Sequence, residues 1–459
     1  MNNQPPVKLS APVAFVVSAP SSGTGKTTVT MGLIAALRKR GLKVQPFKSG
    51  PDYIDSAYHS KLAGRPCINL DCWMTPEQFV KETFSRHAHD ADVVVVEGVM
   101  GLFDGAADGS GSTAQIAKLL DIPILHVINA GKSAQSAAAV LHGMESFDPD
   151  LKSIGAIFNN IASSGHWNSV SKTVANGCTA PALGYLPKNP ELALPERQLG
   201  LLSAFEHGLP DDYIDMLVAN IEAHIDIDAL LQNAEPRRRG EKDTPEKTSA
   251  SQRPCVEKTA RIGIAKDEAF CFYYQDNLDL LAQAGLELVE FSPVNDQALP
   301  ADLDGLYFGG GFPEEFSGRL SGNQSMLEAV RNFEGKIIAE CGGLIYLCRA
   351  FTSLDGTRFP MAGKIDGSIR MTNALQACGY REVVTNENTL LGPAGTVLRG
   401  HEFHWSEWED KPPLGYGAFQ TGKHEWGYAD ETVLASYFHI HFGNSIEPVM
   451  HFKRRLKQL

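Results

Sequence analysis

Val13-Ala-Phe-Val-Val-Ser18 runs directly into Ala19-Pro-Ser-Ser-Gly-Thr-Gly-Lys-Thr-Thr28, and from Lys26 to Arg40 the apolar residues fall at helical spacing (Val29, Leu33, Ile34, Leu37). A short buried strand, a glycine-rich turn and a helix in that order form the setting that a phosphate-binding loop requires. Gly23 and Gly25 allow the backbone to wrap around a phosphate. The stretch Gly23, Thr24, Gly25, Lys26, Thr27 and Thr28 is expected to cradle it at a helix N-terminus. Lys26 would reach the terminal phosphates, and the Thr27 hydroxyl would bind Mg²⁺. Pro20 stands where the common G-x-x-x-x-G-K-T loop has its first glycine.

Outward from this loop, apolar runs alternate with helical patterns. Strands are expected at Lys43 to Phe47, Asp92 to Glu97, Ile122 to Asn129 and Ser153 to Asn159. Short β-branched runs between helices predict a parallel sheet covered on both faces. Glu97 closes the run DVVVVE, where an acid at a strand end meets Mg²⁺. A polar turn, Pro46-Phe-Lys-Ser-Gly-Pro-Asp-Tyr-Ile-Asp55, follows the second strand. There Lys48 would neutralise a carboxylate or an acyl phosphate, and Asp52 would hold the metal.

The second half repeats the α/β style. Strands are expected at Arg261 to Ala265, Leu286 to Phe291, Leu306 to Phe308 and Lys336 to Ala339, with a helix at Asn277 to Ala284. Further aromatic-rich strands run from Arg381 through Val433 to His441. Lys336-Ile-Ile-Ala-Glu-Cys-Gly-Gly-Leu344 reads as strand, sharp turn and helix start, with Cys341 on the turn. That is the layout of a nucleophile elbow. A helix N-terminus favours a thiolate and supplies amides to an oxyanion. Gly310 and Gly311, from a second glycine-rich turn, and Gly342 are the expected oxyanion donors. His439 is the candidate base. His441 would share its face on a strand, but a metal pair there has no third ligand at a credible spacing. His401-Glu-Phe-His404 is not H-E-x-x-H and carries no zinc-protease signal.

The 459 residues suggest two or three domains at roughly 150 residues each. Residues 231–259 are rich in Pro, Ser, Thr and mixed charge, with almost no large apolar side chains. Such a stretch cannot offset its ordering entropy and is expected to be a flexible linker. It separates domains at 10–230 and 260–459 and tethers them at high effective concentration. The net charge of -13 argues against broad nucleic-acid binding, which needs a basic face. No leader peptide is expected, and no run reaches the ~20 apolar residues of a membrane helix. The eight cysteines include no C-x-x-C pair, which fits a reducing cytoplasm. Oligomeric state is not set by these features.

Several motifs stand in register along the chain: APSSGTGKTT, PFKSGPDYID, NLDCWM, VEGVMGLFDG, ALPERQLGL, GGGFPEE, AECGGLIYL, GYRE, RGHEFHWSEWE and SYFHIHFGN. Together they resemble the cobyrinic acid a,c-diamide synthase family over both domains. The resemblance implies a first domain similar to dethiobiotin synthetase and a second similar to class I glutamine amidotransferases. It implies ATP, Mg²⁺ and glutamine as partners of a corrinoid ring whose a and c acetates are amidated. The functional positions it carries over are the loop around Lys26 and Thr27, then Asp52, Tyr53, Ile54 and Asp55 in GPDYID, Glu97 and Asp104 in EGVMGLFDG, and Cys341 with His439 in the glutaminase. With Lys48, residues 52–55 and Asp104 make the expected substrate side, and Thr27, Asp52 and Glu97 the expected metal set. Class I enzymes carry a catalytic acid two residues after the histidine, where this chain has His441, so the third member stays open. Arg381 and Arg399 are candidates by charge for the ring's other carboxylates, with structural ion pairing as the alternative. The same reaction on hydrogenobyrinic acid or nickel-sirohydrochlorin shares these motifs. Cobyric acid synthase fits GPDYID and RGHEFHWS less well. A partitioning-type ATPase switch would carry a lysine at position 21, which is serine here.

Overall fold

The computed structural model describes residues 12–106, 108–192, 209–235, 260–422 and 424–457, with the backbone alone at 196–197 and 200–201. Residues 10–11, the side chains of the ALPERQLGL motif at 193–201 and linker residues 236–259 fall outside the described set. The chain forms two compact units, Met1–Ser251 and Gln252–Leu459.

The first unit is built on seven strands: β1 (Val13–Ser18), β2 (Val44–Ser49), β3 (Ile68–Leu70), β4 (Val93–Glu97), β5 (Ile124–Asn129), β6 (Ser153–Ile161) and β7 (Ala182–Pro187). Their order is β3-β2-β4-β1-β5-β6-β7, and every pair is parallel. The composition of β4 follows from its place in the sheet. Successive strand residues face opposite sides. Val93 and Val95 enter the core beneath one helical layer, and Val94 and Val96 enter the core beneath the other. Both faces therefore demand apolar side chains, and alternation disappears.

Helix α1 (Lys26–Lys39) begins at Gly25, whose φ of +102° favours glycine. A Cβ there would also lie 2.1 Å from Asn159 Nδ2. Midway along α1, Gly32 lets the helix Asp211–His224 approach, since a Cβ would sit 2.5 Å from Ile221. The next helix, Ile227–Ala234, buries Leu230, Leu231 and Ala234. The folded unit thus runs past position 231, where the linker is expected to start. Its apolar spacing is only two turns long, and the polar run behind it hides the signal.

The second unit holds a ten-stranded sheet. In spatial order its first five strands are Glu287–Phe291, Arg261–Ala265, Gly305–Phe308, Lys336–Glu340 and Val433–Ser436, all parallel. Antiparallel strands His424–Ala429, Tyr416–Thr421, Ala377–Thr385, Val397–His404 and His439–Ile440 complete it. Only Tyr437 and Phe438 separate the fifth strand from the tenth in sequence. The sheet must therefore curl until its far edge returns to the strand that precedes Cys341. This curl delivers His439 to Cys341. A four-stranded sheet that includes Cys348–Thr352 and Ile365–Met371 packs beyond the elbow helix.

Candidate functional site

In the first unit, β1, β2 and β4 end at a cleft of about 590 Å³ whose lining includes Gly23, Gly25, Lys26, Thr27, Thr28, Lys48, Asp52, Ile54, Asp55 and Glu97. Lys26 Nζ donates to the backbone carbonyls of Ser21 at 3.0 Å and Met100 at 2.5 Å. Thr27 Oγ1 lies 2.9 Å from Glu97 Oε1 and 3.3 Å from Asp55 Oδ2. Lys48 Nζ donates to Asp55 Oδ2 at 2.6 Å and Glu97 Oε1 at 3.0 Å, with Asp52 Oδ2 at 3.6 Å. Helix α2 (Ile54–Ala63) adds His59, whose Nε2 donates to Glu97 Oε2.

Charge is concentrated here on side chains that are mostly buried. Burial opposes ionisation of Glu97, but the Lys48 ammonium and His59 outweigh it and hold the carboxyl well below the usual range. Asp55 is pushed well above that range by burial and by Asp52. Burial works against the Lys48 ammonium too, yet Asp55, Glu97 and Asp52 raise its pKa well above the ordinary lysine value. Burial lowers the pKa of Lys26.

The sequence candidates do not all converge. Beside Thr27 and Glu97 stands Asp55, not Asp52. Asp52 is more exposed, and its Oδ1 accepts from the Asp55 amide at 3.0 Å, so it shapes the start of α2. Ile54 lines the cleft. Tyr53 is buried. Thr24 is buried, and its hydroxyl donates to the Ser21 carbonyl at 2.8 Å, which tightens the loop. Asp104 is exposed and off the cleft wall; its Oδ2 accepts from the Gly101 amide at 2.9 Å. Sequence inspection missed Asn159 and Asn160 at the end of β6, which line the same cleft. Asn159 Nδ2 donates to the Thr24 carbonyl at 2.9 Å. The doubled Asn after an apolar run was their signal.

In the second unit, Cys341 has φ +46°, ψ -99° and caps the helix Gly342–Leu347. Side-chain-bearing residues rarely adopt φ near +46°, so the elbow stores strain at Cys341. Its amide donates to Ser436 O at 2.7 Å, which pins the turn to the neighbouring strand. A Cβ on Gly343 would lie 2.6 Å from Phe308 Cβ, and one on Gly342 would lie 3.2 Å from the Gly311 nitrogen. The two glycine turns are thereby brought together. His439 lies against Gly310, where a Cβ would be 2.3 Å from its Cε1. The imidazole bonds to Cys341.

His441 lies beyond the short strand His439–Ile440 and caps the next turn, its Nδ1 accepting from the Gly443 amide at 3.0 Å. Its ring packs 4.6 Å from that of Tyr274. The expected shared face with His439 is therefore not realised. Buried Asn277 clamps the chain on either side of His441, donating to Ile440 O and accepting from the Phe442 amide. His401 stacks on His439 at 4.8 Å, set there by the register His401↔His439. Arg381 and Arg399 are both ion-paired, with Glu402 and Glu382, each at 2.8 Å.

Burial alone would lower the pKa of His439, but Cys341 and Glu340 raise it to about 9. Its unfolded value is 6.5, so the stabilisation this proton brings is full below pH 6.5 and is lost as pH rises to about 9. The His439 imidazolium beside Cys341 disappears over the same limb. If Cys341 and His439 hydrolyse glutamine as expected from the sequence, kcat/KM should fall above about pH 9. A rate profile of glutamate release from pH 6 to 10, which remains level through that limb, would remove His439 as the titrating group.

Residues 15–201 match the family described as the CobQ/CobB/MinD/ParA nucleotide binding domain. Residues 261–446 match the CobB/CobQ-like glutamine amidotransferase domain. The first description includes partitioning-type proteins, and the second separates this chain from them. The cobyrinate a,c-diamide synthase of Syntrophotalea carbinolica is 43% identical over 446 residues, covering 94% of this chain and 95% of its own. That of Dehalococcoides mccartyi is 41% identical over 459 residues, covering 96% and 97%. That of Priestia megaterium is 38% identical over 453 residues, with the same coverage. With both units matched in one chain at this identity, the protein belongs to the cobyrinate a,c-diamide synthase family.

Proposed function

We propose that this chain is a carbon–nitrogen ligase of cobalamin biosynthesis. It amidates the a and c acetate carboxylates of cobyrinic acid, using ATP and glutamine, in the cytoplasm. What carries this reading is full-length similarity to relatives of that name, with the groups for both half-reactions intact. Among the described residues no helix is long and apolar enough to cross a membrane.

The first unit performs the ATP chemistry. The amides of Gly23 to Thr28 cradle the phosphates, and Lys26 neutralises their charge. At the far side of the cleft, the amides of Asn159 and Asn160 with apolar Leu186, Pro187 and Leu192 suit a purine base. Thr27, Glu97 and the Asp52/Asp55 pair form an all-oxygen donor set that suits Mg²⁺. Bound there, Mg²⁺ offsets the charge on the phosphate oxygens. Lys48 receives the substrate carboxylate, and the turn Asp52, Tyr53, Ile54 and Asp55 forms the substrate side. The carboxylate attacks the γ-phosphate, giving an acyl phosphate and ADP. Positioning and charge neutralisation are the main demands of such a step.

The second unit supplies nitrogen. Cys341 Sγ attacks the glutamine side-chain amide, and amides at Gly310, Gly311 and Gly342 face the oxyanion. His439 gives its proton to the leaving ammonia, and water hydrolyses the glutamyl thioester to glutamate. Ammonia then displaces phosphate from the acyl phosphate to form the amide.

The test is mass spectrometry of the purified protein with MgATP and glutamine, offered cobyrinic acid, hydrogenobyrinic acid or nickel-sirohydrochlorin in parallel. A doubly amidated product from cobyrinic acid is the expected result. Double amidation of one of the other rings instead would keep the reaction and change the substrate. Turnover of ATP and glutamine with no ring amidated would overturn the substrate class.

A further inference from the structure

A histidine that serves a thiol needs a group on its other nitrogen to fix its tautomer and hold its charge. The position two residues after His439 does not provide one. His441 is occupied by the Gly443 amide and packed on Tyr274. Buried against that wall, it is pushed down to about 4 and stays neutral. Another carboxylate does reach the ring. Glu340 ends the nucleophile strand, one residue before Cys341, and is 1% exposed. Its Oε2 lies 3.6 Å from His439 Nδ1. Its Oε1 accepts from the Tyr307 hydroxyl at 2.9 Å and faces the Ile440 amide at 3.4 Å.

We propose that Glu340 is the positioning carboxylate of the glutaminase, facing His439 Nδ1 and so leaving Nε2 for the Cys341 thiol. This rests on the reading of Cys341 and His439 as the glutaminase pair. The nucleophile strand thus carries two members of the site in adjacent positions. That is possible because strand residues alternate faces until the elbow turns Cys341 out of the sheet. Tyr307 holds one carboxylate oxygen so that the other points at the ring. The other charged or titratable neighbours of His439 are Cys341, stacked His401, and Glu402 and His404 acting at longer range. His401 and His404 are held neutral by burial, and among the described residues Glu340 is the carboxylate in ion-pair range of the ring.

Glu340→Gln keeps an oxygen for Tyr307 but turns an amide donor toward Nδ1. The ring would then carry its proton on Nε2 and could not take one from the thiol. In the full-length protein we expect kcat for glutamate release to fall about 100-fold, with KM for glutamine within about twofold. The pH midpoint for iodoacetamide alkylation of Cys341, read by peptide mass spectrometry, should move upward. Glu340→Asp should recover at least about tenfold of the lost kcat, and Tyr307→Phe should lose less than Glu340→Gln. Wild-type kcat and an unmoved alkylation midpoint in Glu340→Gln would overturn the proposal. So would equal losses in Glu340→Gln and Tyr307→Phe with no shift in alkylation, since that pattern is structural. If Glu340→Gln shows no cooperative melting, the midpoint in Glu340→Asp decides, and an unshifted value overturns it. Glutamate release by Cys341→Ala would instead refute the underlying glutaminase assignment.

Discussion

Cys341→Ala is expected to abolish glutamine-driven amidation, with kcat for glutamate release down by at least about 10⁴-fold. Among the described residues no neighbouring thiol can substitute. Buried Cys348 and half-buried Cys271 are both pushed well above the usual thiol range by desolvation, so neither offers a thiolate. Among the described cysteines, Cys341 alone combines the elbow's strained backbone with an interaction with His439. The ATP half-reaction draws on none of these groups. Amidation driven by added ammonium salt should therefore persist near the wild-type rate. The measurement is product formation with each nitrogen donor in parallel. Equal loss with both donors would mean that the two units do not divide the work as proposed.

Lys48→Met is expected to be the most damaging change in the first unit. Lys48 is buried, with its ammonium within 2.6 to 3.6 Å of carboxylate oxygens of Asp55, Glu97 and Asp52. Removing it leaves these acids without their shared cation. Breaking a buried ion pair from one side costs about 3–5 kcal/mol, mostly the penalty of stranded charge. Two of the acids respond in opposite senses to pH. Glu97 has a lowered pKa, so its contribution is present above its unfolded value of 4.5 and is lost only on strong acidification. Asp55 has a raised pKa, so its contribution is present below 3.8 and is lost as pH rises through the folded value. Neutral pH is therefore where Lys48 is most needed, and Lys48→Met should regain part of its lost stability on mild acidification. Denaturant melts at neutral and mildly acidic pH test this. Amidation should vanish with either nitrogen donor, while glutamate release survives in protein that remains folded. Retention of ammonia-driven amidation would exclude Lys48 as the group that receives the substrate carboxylate.

Much of this protein was legible locally. The phosphate loop, the run DVVVVE and the elbow AECGG each need only a few neighbouring residues to declare themselves. Their strands fall close to where periodicity places them, because a strand buried on both faces leaves an uninterrupted apolar run. The helix Ile227–Ala234 was not legible, since eight residues beside a polar run give too little period to detect.

Within the site, the sequence by itself determined the residue types and their order: a lysine and threonine on the loop, an acid after β4, a cysteine on a sharp turn and a histidine near the end. Only the tertiary structure decided which of them meet. Thr27 reaches Glu97 across 70 residues and Glu340 approaches the Ile440 amide across 100, contacts made by sheet order and by the curl of the second sheet. One turn of α2 places Asp55, rather than Asp52, beside Thr27. Motif spacing describes neighbours along the chain, whereas a buried charge finds its partner wherever packing brings one within a few ångströms.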